Sequence, residues 1–499
     1  MIFQKKINLL IIIFLVAVCS VHSQDLYQKK YPVEELREDF EILQKALQEG
    51  HPNLYRYTPK TELDIAFREQ FYQINEEQSE LEFYNFIKPL IAKIQDGNTT
   101  LMLSDYSDNF LKDRARFFPF DVKFIDKKTY VRFNYTDNKQ IKIGAEILSI
   151  NGIPTEEILE EMIKRNSSDA GIENAVFWRL EQGTYSFELL AIYEDAREYD
   201  ITFRNIGDSD IQVATVMAAS YRKKITDFIE AGIKPIMDTE NPFKVHFLKD
   251  KKTAILDIDI LGDFFKGNQN FYRFLKQTFK DIQKEKIEHL ILDLRNNTGG
   301  EDLYGAYLCS FLIDNAFQLF SHQLITQKKY NFVGDTDSGL SLNREFSALK
   351  TIETDSGTYI ISLDGLEEEQ FPARENFKGD LYILTNGGTF GIASYVAGLL
   401  KFYRKAPTLL IGEETGGALG GGTGVRLPYL TLPNTNLVLT LPLVSCVTQI
   451  PENQAINRGV MPDYKIKDTP RDLLENRDAV LEFTQKRIID TLVHQLKTE

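Results

Sequence analysis

The stretch from 381 to 401, reading L-Y-I-L-T-N-G-G-T-F-G-I-A-S-Y-V-A-G-L-L-K, constrains the fold more than any other. Leu381 to Leu384 form an apolar run suited to a buried strand, and Asn386-Gly387-Gly388 forces a tight turn. Ile392, Val396, Leu399 and Leu400 then recur at the spacing of one helix face. A strand that turns sharply into a helix aims the first helical N–H groups at one point, a ready cradle for an oxyanion. An α/β serine hydrolase would carry its nucleophile at such a corner; here the corner residue is Gly391.

The first 23 residues read as an export leader, with Lys5 and Lys6, an apolar run over 7–18, and Val21-His22-Ser23 before Gln24. The run is shorter than the ~20 apolar residues a membrane span needs. Residues 24–499 are too many for one ordinary domain and predict two or three. Without the two leader lysines the formal charge moves from −15 to −17. An acidic surface argues against nucleic acid or anionic membrane as partner. Cys309 and Cys446 sit among apolar neighbours and read as two buried thiols rather than a disulfide. His51, His246, His289, His322 and His494 are far apart, without zinc-type spacing. No metal or cofactor site is read.

Residues 24–105 predict a helical unit. Leu36, Phe40, Leu43 and Leu47 mark its first core face, Thr58-Pro59 a second start, and Ser79 with Glu82 a capping box. Alternation at Val131, Phe133 and Tyr135 opens a β-rich module over 115–205, with a helix at 156–164 and further strands through Phe203. Polar residues 205–210 mark its exit. From 240 to 499, strands at 254–258, 289–294, 381–384 and 408–411 alternate with helices, which implies an α/β core of parallel strands with crossover helices. Residues 323–378 read as an irregular insertion, 425–432 and 437–443 as a hairpin, and 472–496 as a last helix. Six glycines within 416–424 read as a flexible rim beside a cleft, since no lysine and hydroxyl follow to make a phosphate loop.

Asp293-Leu294-Arg295-Asn296-Asn297-Thr298-Gly299-Gly300 ends an apolar strand, where paired glycines let backbone N–H groups approach a ligand. This motif, Gly50-His51-Pro52, Asp96-Gly97-Asn98-Thr99, Gly144 to Gly152, Thr389-Phe390-Gly391, Gly412-Glu413-Glu414-Thr415-Gly416 and Gly459-Val460-Met461-Pro462-Asp463 recur in order. Together they resemble the tail-specific (C-terminal processing) protease family of serine peptidases, in its exported bacterial form. The resemblance implies a PDZ-like β-module, a serine-peptidase core, and a peptide or unfolded-protein C-terminus as partner. It places the nucleophile at Gly391 and the base at Asn98, with Gly299, Gly300 and Ile392 as the oxyanion cradle. A lysine base used by other relatives would fall near Ala418, and an acidic partner near Ile456. Removing the nucleophile of a serine peptidase costs about a million-fold in turnover. The expectation is therefore a periplasmic or extracellular peptide-binding protein with weak or no hydrolysis. Two alternatives stand beside it: an active peptidase using Ser394, one turn along the helix, and a non-enzymatic binder of an apolar small molecule.

Overall fold

Leu36, Phe40, Leu43 and Leu47 are all buried along one stripe of helix α1 (Val33–Gly50), which closes against α2 (Lys60–Gln73) and α3 (Glu80–Ala92). The capping box forms as read: the Glu82 N–H donates to Ser79 Oγ at 3.3 Å and the Ser79 N–H to Glu82 Oε2 at 2.6 Å. The second start is displaced by one residue. Pro59 precedes α2 as its cap, and the Thr58 hydroxyl instead donates to the Lys93 carbonyl beyond α3. A fourth helix, α4 (Asp105–Arg114), leads out of this unit.

The computed structural model describes residues 29–193, 196–232, 237–263, 269–451, 454 and 456–498. The leader read at residues 1–23 lies outside them. Among the described residues no helix is long and apolar enough to cross a membrane.

In the β-module, β1 (Phe120–Ile125) and β2 (Lys128–Asn134) form a hairpin whose two turn residues, Asp126 and Lys127, both take positive φ. With β3 (Glu146–Ile150), β4 (Glu198–Arg204) and β5 (Gln212–Met217) they make one antiparallel sheet in the order β5-β4-β3-β2-β1. The sheet thus gains a strand after Asn205. Helix α5 (Thr155–Arg165) packs under it. The strands expected between α5 and Phe203 are instead two helices, α6 (Glu173–Arg179) and α7 (Tyr185–Tyr193), before β4. Val176 and Leu180, four residues apart, are buried in the module's core beside Val122, Val131 and Phe203. A short helix, α8 (Tyr221–Glu230), follows.

The core sheet runs β6 (Phe243–Leu248), β7 (Thr253–Ile258), β8 (His289–Asp293), β10 (Asp380–Thr385), β11 (Thr408–Gly412), β14 (Tyr464–Lys465). All neighbours are parallel except β6 and β7. Helices α9 (Phe271–Lys284), α10 (Asp302–Leu312) and α11 (Ile392–Tyr403) supply the crossovers. Alternate residues of the central strands divide between two cores. Leu290, Leu292, Leu381 and Ile383 join the large core shared with the N-terminal helices; Ile291, Tyr382 and Leu384 meet Val480 and Ile488 of α12 (Ala479–Thr498). The final helix expected over 472–496 is broken at Asn476, which is left-handed (φ 51°).

The segment 323–378 is more ordered than its polarity suggests. Strands β9 (Phe320–Ile325), β12 (Gly422–Gly424) and β13 (Val444–Thr448) join Tyr359–Ile361 and Thr351–Glu353 in a second antiparallel sheet. Three-residue strands are too short to print a period on the sequence. The hairpin expected near 425–443 forms between Tyr429–Thr431 and Val438–Thr440, and Thr100–Met102 of the helical unit adds a third strand to it.

Candidate active site

Strand β10 is flanked by parallel strands on both sides, so its apolar run is buried and its end is rigid. The turn that follows is tied down by side chains. Asn386 Oδ1 accepts the N–H groups of Asn296 (3.0 Å) and Gly388 (2.9 Å), and Thr389 Oγ1 donates to the Leu294 carbonyl at 2.9 Å. Trp178 of α6 donates to Asn296 Oδ1 at 2.7 Å, as does Asn386 Nδ2 at 2.9 Å. A Cβ on Gly388 would lie 2.4 Å from the Trp178 indole, and one on Gly387 2.0 Å from the Asn174 carbonyl. The glycine pair therefore admits the β-module's helix onto the corner.

Gly391 caps α11 with φ 53° and ψ −132°, a sharp strand-to-helix geometry of the kind that presents a nucleophile in α/β hydrolases. No side chain projects from it. A Cβ there would meet Thr298 O at 3.7 Å and Gly299 Cα at 3.8 Å, both ordinary contacts, so the space for one exists.

Gly299, Gly300 and Ile392, read as a cradle, stand differently at this corner. The Gly299 N–H donates to Asn297 Oδ1 at 3.0 Å, while the amides of Gly300 and Ile392 make no hydrogen bond among the described residues. A Cβ on Gly299 would stand 3.6 Å from the Ile392 nitrogen and 3.3 Å from the Phe390 carbonyl. Glycine at 299 keeps the Ile392 amide uncovered. Gly300 is required for another reason: a Cβ there would fall 2.0 Å from the Leu261 carbonyl.

Asn98 lies on the loop that packs beside the corner, since a Cβ on Gly97 would be 2.7 Å from the Phe390 ring. Its side-chain amide donates to the Thr423 carbonyl at 2.7 Å and ties the helical unit to β12. Ser394 is fully buried and donates to the Thr389 carbonyl at 2.7 Å. A Cβ on Gly417 would lie 2.6 Å from its Oγ. Ala418 donates its N–H toward Asp169 Oδ2 at 3.3 Å, and Ile456 is exposed. Cys309 and Cys446 are free and buried.

The glycines of 416–424 are mostly enclosed rather than forming a flexible rim. Side chains at 416, 420, 421 or 417 would strike Gly387 O, Ile456, Cys446 O or Ser394 at 2.0–2.9 Å. They are small because β10, β13 and α11 pass so close.

A buried carboxyl pair behind the corner was not legible in the sequence. Asp96 accepts the N–H and hydroxyl of Thr99 and the hydroxyl of Thr423. Asp169, from the β-module, accepts the Gly97 N–H at 2.8 Å and so spans all three parts of the chain with Ala418. Burial, and then the Asp96 charge, pushes Asp169 up to about 7. His51 is buried beside them. Its Nδ1 accepts the Asn53 N–H at 3.1 Å, which leaves Nε2–H to donate to Thr99 Oγ1 at 2.8 Å. Burial lowers its pKa, against the pull of Asp96. Asp169 follows Ser167 and Ser168, and its partners are 72 and 249 residues away.

A parallel α/β core with a sharp strand–turn–helix corner, coupled to a small antiparallel module, defines a serine-peptidase-like fold. Residues 253–466 match peptidase family S41 and residues 114–219 a PDZ domain. The chain thus carries a peptidase family S41 domain joined to a PDZ domain. Mature CPAF complexed with lactacystin shares the fold at a TM-score of 0.63 and 17% identity, over 93% of this chain and 99% of that one. A second mature CPAF structure gives 0.62 and 16%, over 91% and 96%. The photosystem II D1 C-terminal processing protease aligns over 88% and 97% at a TM-score of 0.41 and 15% identity. No curated protein sequence matches the chain.

Proposed function

We propose that this S41-family protein is exported and binds peptide or unfolded polypeptide at a peptidase-shaped cleft, with hydrolysis weak or lost. The observation that carries this reading is Gly391: the corner has the backbone of a nucleophile turn and no atom that can attack. Asn98, at the base position, cannot take a proton and spends its amide on Thr423. The leader pattern at residues 1–23 supports export, and the PDZ match supports an extended polypeptide as ligand.

Ser394 is a poor replacement nucleophile. Its hydroxyl is enclosed and committed to a backbone carbonyl, with no basic side chain among its partners. The test is treatment of the purified protein with an active-site fluorophosphonate alongside the variant carrying Asn98→His and Gly391→Ser. The expected result is no labelled serine in the natural chain and labelling at position 391 in the variant. A labelled serine in the natural chain overturns the reading.

A further inference from the structure

Helix α10 packs against α11 beside the Gly391 corner, and the contact fixes which of its side chains face that way. A Cβ on Gly305 would lie 2.3 Å from Ile392 Cγ1 and 3.2 Å from Val396 Cγ2. Asp302, three residues earlier, therefore lies on the same face of α10. It stands about 4.5 Å further along the axis. That displacement runs toward the carboxyl ends of the parallel strands β8 and β10, after which both helices begin. Asp302 is thus level with the corner.

This carboxyl has no counter-charge. It is half-buried and makes no hydrogen bond or ion pair among the described residues, and its oxygens still reach solvent. The charges that bear on it are negative: burial, then Asp364 and Glu301, pushes it up to about 7. It also faces the Tyr395 hydroxyl on α11 and the Cys446 thiol on β13. Burial raises both of these groups, and the Asp302 charge adds to the effect. Arg426 lies near Asp364 and Glu301, but Glu345 holds its guanidinium, with Nε 3.1 Å from each carboxylate oxygen. The cation that would balance Asp302 is not supplied by these neighbours.

A partly desolvated carboxylate without a partner is costly, and a ligand that brings the opposite charge removes that cost. Leu303, next in the chain, is apolar and exposed, which gives the methylene stem of a long basic side chain a surface to lie on. A neutral side chain in the same place would leave Asp302 protonated and unpaired.

We propose that Asp302 sets the sequence preference of the cleft by pairing with a basic side chain within a bound polypeptide. Recognition is of an internal residue, so neither end of the polypeptide is required. The inference rests on the peptide-binding reading of this cleft and names the class of sequence it takes.

Calorimetric titration of the full chain tests it with four ten-residue peptides, blocked at both ends and differing only at a central residue: arginine, citrulline, norleucine or glutamate. The arginine peptide is expected to bind about tenfold more tightly than its neutral citrulline isostere, and the glutamate peptide most weakly. At pH 7 the arginine peptide should also release protons from Asp302, read as a heat that varies with the buffer's ionisation enthalpy. The norleucine peptide should show no such variation. Asp302→Asn should bring the arginine peptide down to the citrulline level while norleucine affinity stays unchanged, and the exposed Glu301→Gln should keep the preference. Equal binding of arginine and citrulline peptides by the natural chain, or a preference that survives Asp302→Asn, overturns the assignment and leaves peptide binding standing. A preference lost equally in Glu301→Gln also sinks it, because the general acidity of the rim would then be responsible. If none of the four peptides binds, the peptide-binding reading and this inference fall together.

Discussion

A Cβ built on Gly391 would rest 3.8 Å from the Cα of Gly299, in contact but not in collision. The corner therefore has room for a serine that the chain does not carry. Gly391→Ser should fold, with a penalty on the order of 1–3 kcal/mol for an L-residue at φ 53°. Gly417→Ala should be the more damaging change although its residue is no larger, because its Cβ would meet Ser394 Oγ at 2.6 Å and the Gly391 nitrogen at 3.0 Å. Thermal melts of the two variants rank them; a lower Tm for Gly391→Ser would show that the corner has collapsed onto the missing side chain.

Trp178 and Gly388 bind the PDZ module to the core corner, one by a hydrogen bond to Asn296 and the other by leaving the indole room. Trp178→Phe keeps much of the ring and loses the N–H, so Asn296 Oδ1 keeps only Asn386 as donor. A loss of about 1–2 kcal/mol is expected. Gly388→Ala should cost at least as much, since its Cβ would sit 2.4 Å from the indole. Denaturant melts measure both, and limited proteolysis between the modules should accelerate in each. Unchanged proteolysis would mean the modules are held mainly elsewhere.

Much of this architecture could be read in advance, and the exceptions share a cause. The helix stripe of Leu36 to Leu47, the Ser79 capping box and the β10–α11 corner are local patterns, and local patterns are written within a few residues. The helices around Val176 to Leu190 read as strands because their buried residues on adjacent turns look like a short apolar run in either period. The role of the 416–424 glycines depends on β10, β13 and α11 passing within contact, which no local window contains. The same holds at the site. Gly391, Ile392, Gly299 and Gly300 lie on recognisable motifs, whereas Asp169 gains its meaning only from Gly97 and Ala418.

Ser394 separates a structural hydroxyl from a catalytic one. Its hydrogen bond to the Thr389 carbonyl ties the first turn of α11 to the tight turn that precedes it. Ser394→Ala should lose about 1 kcal/mol of stability, the typical net worth of such a bond, and leave peptide binding at its original affinity. Denaturant melts give the first quantity and titration with an unstructured peptide the second. Any peptide cleavage by the natural chain that disappears in Ser394→Ala would restore this serine as a nucleophile.

Asp169 should make stability respond to pH in a sense opposite to His51. A carboxyl pushed up to about 7 in the folded chain, from 3.8 as its ordinary value, holds a proton that the unfolded chain has released. Its ionisation therefore weakens folding as pH rises from about 4 to about 7, and acidification across that window favours the folded state. His51 is held neutral by burial with its pKa below 6.5, so acidification through and below that value works against folding. Asp96 and Arg56 face Asp169 with opposite effects, Asp96 raising its pKa and Arg56 lowering it. Asp169→Asn removes the first response and leaves the second. The variant should lose more Tm than the natural chain between pH 7.5 and pH 5, measured in matched buffers by differential scanning calorimetry. Parallel Tm–pH curves would mean that Asp169 is already ionised in the folded protein and that its two backbone N–H donors, not its proton, hold the three parts together.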